Sequence, residues 1–226
     1  MSYKYMIHTC EDRKWYVNKF LIPSMLEQGI QKQEIIVSVD REKQGILLAT
    51  LLSFDYLGRT QDWDSIVWHL QDDVVLSKTF KQRTDELYGD IICGFCSRYD
   101  KSKRFGAVDK GDMWYSFPCI GIKNFIAKEC ANWFFEGAMN RDDIKFMIQR
   151  KKYIDTLFRE FFIDEYNRPL KIYNVNPNLV DHVDYLIGGS LVNSNRDEKQ
   201  VRAYYWREAD VIQQLEQAVQ KSVSCN

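Results

Sequence analysis

The chemistry of this 226-residue chain concentrates at His69-Leu70-Gln71-Asp72-Asp73-Val74. An apolar run over residues 65–70 (SIVWHL) leads directly into two adjacent carboxylates and then into a new apolar turn. Two like charges at the end of a buried element are costly unless a cation neutralises them. A hard divalent ion removes that cost, held by one or two carboxylates and completed by phosphate oxygens and water. The structural alternative has Asp72 capping the next helix and Asp73 in solvent. Asp40 closes the preceding apolar run in the same way, and the repetition points to metal–nucleotide binding.

These carboxylates need elements to position them. Residues 4–9 (KYMIHT), 34–39 (EIIVSV), 65–70 and 90–95 (DIICGF) read as strands, the second with the continuous apolar character of a strand buried on both faces. Between them, 15–28 reads as a helix that Pro23 must kink or divide, because proline supplies no N–H. Residues 45–57 are apolar almost all round, which predicts a helix deep against the sheet, and 77–88 read as another. Further on, 98–112 reads as a charged loop, 124–135, 142–162 and 207–219 as helices, and 171–173 as a short strand. The alternation predicts an α/β fold, a Rossmann-type sandwich with a mostly parallel central sheet flanked by helices. Such sheets bind ligands beyond the carboxyl ends of their strands. There the sequence places His8, Thr9, Glu11, Asp12 and Arg13, then Asp40 and Arg41, then Gln71-Asp72-Asp73. Neither repeat nor linker divides the chain, so a single domain over 1–226 is expected, with a nucleotide-binding half (1–95) and an acceptor-side half (96–226).

At these residues the sequence resembles the GT-A glycosyltransferases, in particular their small single-domain bacterial and phage-type members. Gln71-Asp72-Asp73 is similar to the family's DxD-like motif, in which carboxylates hold Mn²⁺ or Mg²⁺ against the diphosphate of a nucleotide sugar. The resemblance implies Asp73 as the direct metal ligand and Asp72 near the ribose or sugar. The opening segment resembles theirs as well, through Met6-Ile7-His8-Thr9, Arg13, Met25-Leu26-Glu27-Gln28 and Glu34-Ile35-Ile36-Val37-Ser38-Val39-Asp40. It implies nucleotide-sugar contacts for Thr9, Arg13 and Asp40. Val39-Asp40-Arg41 departs from the Asp-Asp-Gly-Ser run common in the largest inverting group, which leaves the base open. Later, Val180-Asp181-His182-Val183-Asp184 resembles the family's late histidine on the metal or diphosphate, which implies His182 as a second ligand. A surface histidine is the alternative. Asn140-Arg141-Asp142-Asp143 opens a helix where inverting members carry an acidic pair, which implies Asp143, or else Asp142, as the base for the acceptor hydroxyl. The alternative for both is to complement the helix dipole, and a retaining mechanism needs no such base.

Trp114 could offer a stacking platform to an acceptor sugar, and Lys103, Arg104 and Lys110 could meet a diphosphate if their loop closes. The expected activity is metal-dependent transfer from a nucleotide-diphosphate sugar, UDP-linked by preference, to a hydroxyl on a glycan, a protein or a modified nucleic acid. A sugar-phosphate nucleotidyltransferase is the enzymatic alternative, although His8-Thr9-Cys10-Glu11-Asp12 lacks its glycine-rich phosphate loop. A non-catalytic interaction module is the other. Composition narrows the field further. With 31 Lys+Arg against 32 Asp+Glu, no basic excess exists for a general nucleic-acid footprint. Aromatics at 14% exclude disorder. No apolar stretch approaches the roughly 18 residues of a spanning helix, and the N-terminus lacks a signal-peptide pattern. Six scattered cysteines are expected as free thiols of a cytoplasmic protein, Cys93-Gly94-Phe95-Cys96 included, with Cys93 and Phe95 on one face of a strand.

Overall fold

The computed structural model describes residues 4–42, 45–96, 106–108, 117–149, 158, 161–162, 166–187, 206 and 208–224. Trp114, Lys103, Arg104 and Lys110 lie outside them. The described strands are β1 (Tyr5–Cys10), β2 (Ile35–Asp40), β3 (Ile66–Gln71), β4 (Val74–Leu76), β5 (Ile91–Cys93), β6 (Gly106–Val108), β7 (Cys119–Lys123), β8 (Ile172–Asn174) and β9 (Val180–His182). The described helices are α1 (Lys14–Tyr16), α2 (Ile22–Glu27), α3 (Ile46–Thr60), α4 (Phe80–Glu86), α5 (Asn124–Glu136), α6 (Asp142–Gln149) and α7 (Ala209–Ser224). None is long and apolar enough to cross a membrane.

Seven strands form one sheet in the order β2-β1-β3-β7-β5-β8-β6, while β4 and β9 make a separate two-stranded ribbon. β1, β2, β3, β5 and β8 run one way, and β6 and β7 run the other. The sheet is therefore mostly parallel, and the carboxyl ends of five strands share a rim.

Period-two alternation divides the side chains between the faces. Tyr5 and Ile7 of β1 join Tyr16, Leu21, Met25, Trp68, Leu70 and Phe80 on one side. On the other, Leu51 and Phe54 of α3 pack with Ile126, Ala127 and Cys130 of α5 over Ile91, Ile120, Ile122 and Ile172. Each fully buried large apolar side chain contributes about 1.5–3 kcal/mol. Gly121 permits one of these contacts, since a Cβ there would lie 3.1 Å from the Trp68 ring.

Several expectations change. The 15–28 helix is divided as Pro23 requires, but the break is a π-helical turn over Val17–Leu21, with Pro23 in the first turn of α2. β2 is not buried on both faces: it is the sheet's edge, and all six of its residues are half-buried. α3 is not buried all round either, because Leu52 and Tyr56 are exposed. β7, absent from the sequence reading, inserts antiparallel between β3 and β5. Cys93 and Phe95 join opposite core clusters, because β5 and its alternation end at Cys93. Cys10, Cys93, Cys96, Cys119 and Cys130 are free thiols.

Candidate functional site

The parallel register brings three strand ends together. Cys10 lies beside Asp40 across β1 and β2, and His8 beside Gln71 across β1 and β3. Beyond β1 a 3₁₀ turn over Glu11–Arg13 carries Arg13 inward, where it is buried. Beyond β3, Asp72 and Asp73 form a tight turn into β4, and both are buried. β4 then pairs antiparallel with β9, which places His182 opposite Val74, and the Val183 N–H donates to the Asp73 carbonyl at 2.7 Å. The ribbon thus delivers a distant histidine to the carboxylate pair. Beneath the turn, the Tyr16 hydroxyl donates to the Val74 carbonyl at 2.9 Å.

The polar contacts form one buried cluster. Arg13 Nη1 donates to Asp72 Oδ1 at 3.2 Å and to Asp73 Oδ2 at 2.5 Å. The Thr9 hydroxyl donates to Asp72 Oδ2 at 2.8 Å. His182 Nε2 lies 3.1 Å from Asp73 Oδ1, and its Nδ1 lies 3.4 Å from Asp184 Oδ1. Burial alone would raise Asp73, but His182 and Arg13 outweigh it and hold the carboxyl well below its ordinary range. Burial and the neighbouring charge of Asp73 both raise Asp72, against the pull of Arg13 and Thr9. Burial would lower His182, yet Asp73 and Asp184 push it up to about 10, so it carries a proton when no other cation competes. The two adjacent aspartates are thus shifted in opposite directions by their different partners.

One spot in this cluster could hold a divalent ion. Asp73 Oδ1 is buried, and its ion-pair partner among the described residues is His182 Nε2, 3.1 Å away. Two ligands at about 2.1 Å from one octahedral ion and at right angles to each other lie about 3 Å apart. No set of three or more His, Cys, Asp or Glu among the described residues could hold an ion without help. Asp73 and His182 would be the protein ligands of such an ion, and its other ligands would have to come from outside the protein.

The structure brings Thr9, Arg13, Asp72, Asp73 and His182 into contact. Asp40 stands on the same rim, where its Oδ2 accepts from the Gly45 N–H at 2.8 Å. Gly45, with φ of 92°, uses the left-handed freedom of glycine to turn the chain into α3. Asp142 and Asp143 sit exposed at the start of α6. Arg141 donates to both oxygens of Asp143, and the Ile144 N–H to one of them; these contacts lower its carboxyl. No hydrogen bond or ion pair among the described residues joins either of them to the buried cluster. Sequence reasoning gave no role to Tyr16 or Asp184. The β-branched, apolar stretches around Val74-Val75-Leu76 and Val180 were the available signal for the ribbon that positions both.

No family model matches the chain, and no curated protein matches it. Among solved structures it is similar to the crystal structure of the glycosyltransferase GlyE in Streptococcus pneumoniae TIGR4, at a TM-score of 0.39 and 9% identity. The match covers 78% of this chain and 46% of that one, so the chain spans under half the length of the structure it matches.

Proposed function

We propose that the chain transfers a sugar from a nucleotide-diphosphate donor, UDP-linked by preference, to a hydroxyl of a glycan, a protein or a modified nucleic acid. One observation carries the reading: a buried aspartate pair at the carboxyl rim of parallel strands, with His182 Nε2 3.1 Å from Asp73 Oδ1. A rim of this kind is where α/β sheets receive ligands. Asp73 and His182 would hold Mn²⁺ or Mg²⁺, and an imidazole in the set favours Mn²⁺. When bound, that ion supplies Lewis-acid stabilisation of the departing diphosphate.

The chain's own groups do the remaining work. Thr9 and Arg13 fix both oxygens of Asp72 and so set its orientation toward the donor. Asp40, which lies beside Cys10 on the rim, would contact the base and ribose. Burial of the cluster keeps water from the diphosphate linkage. Asp143, with Asp142 as the next choice, is the proposed acceptor base in an inverting reaction; in that role the pair with Arg141 has to open.

The test is a thermal-shift series with UDP, GDP, CDP and dTDP, each with Mn²⁺ and with EDTA. A Mn²⁺-dependent shift with one nucleotide, abolished by Asp73→Ala, is the expected result. No shift with any nucleotide removes the enzymatic reading in favour of an interaction module. Pyrophosphate release from UTP and a sugar 1-phosphate replaces it with nucleotidyl transfer. Asp143→Asn retains the donor shift and loses turnover; unchanged turnover removes Asp143 from the mechanism.

A further inference from the structure

The Asp72–Asp73 pair already contains a cation that no metal chemistry requires. Arg13 is only 5% exposed, and a guanidinium keeps its charge at any pH the protein survives. One of its nitrogens, Nη1, touches both carboxylates. Together with Thr9 it engages both oxygens of Asp72 and one of Asp73, and this leaves Asp73 Oδ1 facing His182. A carboxylate pair built to capture a free hard cation would offer more oxygens and no internal competitor.

We infer that Arg13 is a built-in counter-ion which keeps a free divalent cation off the aspartate pair, so that the ion enters only together with a diphosphate. The inference rests on the metal-assisted nucleotide reading above and deepens it. A free ion meets two protein ligands and a fixed positive charge on the far oxygen of the same carboxylate. The repulsion between those cations is large at such distances in a buried site. A diphosphate reverses the balance, because it brings its own negative charges and several oxygens to the ion. Donor and ion then bind as one unit, and the pair does not collect stray metal between turnovers.

The test titrates Mn²⁺ alone into the full chain and follows the free-ion signal by electron paramagnetic resonance, for wild type, Arg13→Gln and Arg13→Lys. Arg13→Gln is expected to bind Mn²⁺ alone at least about tenfold more tightly than wild type, as removal of a close like charge requires. Arg13→Lys, which keeps the charge, is expected to stay near wild type. Adding UDP should tighten Mn²⁺ binding to wild type far more than to Arg13→Gln. Equal Mn²⁺ binding by wild type and Arg13→Gln overturns the inference, as does tight uptake of Mn²⁺ alone by wild type. Should Arg13→Gln fail to fold in EDTA, refolding from denaturant in Mn²⁺ decides: recovered chain supports the counter-ion role, and no recovery opposes it. If no nucleoside diphosphate changes wild-type uptake while Arg13→Gln still captures free Mn²⁺, the nucleotide reading falls and the counter-ion stands.

Discussion

The chain carries two Asp-Asp pairs, and they have opposite fates. Asp72–Asp73 leaves the end of a central strand and is buried against Arg13, Thr9 and His182. Asp142–Asp143 opens an amphipathic helix and stays in solvent, with Asp143 tied to Arg141 and to its own helix terminus. The dipeptide is the same, so identity alone assigns no chemistry. The difference lies in what stands behind each pair. A parallel sheet rim surrounds the first with other chain ends and excludes water, while a helix N-terminus presents the second outward, where its charge complements the dipole. The buried pair is met by buried cations, the exposed pair by solvated ones.

The largest test of this contrast is stability. Asp73→Ala leaves Arg13 and His182 buried without their shared partner and should cost about 3–5 kcal/mol in urea unfolding. Asp143→Ala should leave the unfolding midpoint where it was. Similar losses for both would erase the distinction between the pairs. A second test uses the opposite face of the same strands. His8 and His69 are fully buried, with Nε2 of the first 3.0 Å from Nδ1 of the second. Burial lowers His8 to about 4, and burial with His8 holds His69 well below its ordinary value. Their native forms bind fewer protons than the unfolded chain does, so stability is whole above the ordinary histidine value near 6.5 and falls as pH drops toward 4. His8 accounts for about 3 kcal/mol across that window. Urea titrations at stepped pH, with His8→Gln flattening the acid limb, would check it; an unchanged limb assigns acid loss to the carboxylates instead. The smallest effect is Thr9→Val, which strips one donor from a buried carboxylate for about 1–3 kcal/mol. It should also weaken any nucleotide-induced shift, and a wild-type shift in that variant would mean that Asp72 needs no anchor.

Much of this was legible in the sequence. β1 and β3 announce themselves as apolar runs ending in polar residues, and that punctuation located the rim. Thr9, Arg13, Asp72, Asp73 and His182 were all named from the sequence as site residues, and the fold brings them into contact. What stayed hidden has physical reasons. β2 was misjudged because Ile35–Val39 suits an edge as well as a centre, and only neighbours decide which. β4 and β7 span too few residues for a period to show. Arg13 gave no sign that it would be a buried clamp, since arginines near a rim are ordinarily solvated. Asp184 reads as surface acid until the ribbon turns it toward His182.

The β4–β9 ribbon has a consequence for how the protein is made. During synthesis the aspartates and Arg13 leave the ribosome long before His182 does, and the histidine can dock only when β9 zips onto β4. That closure joins distant parts of the chain, a slow kind of step because ordering the intervening segment precedes its reward. The nascent polypeptide therefore carries an aspartate pair neutralised by arginine alone, and gains its histidine only when the distant β9 docks.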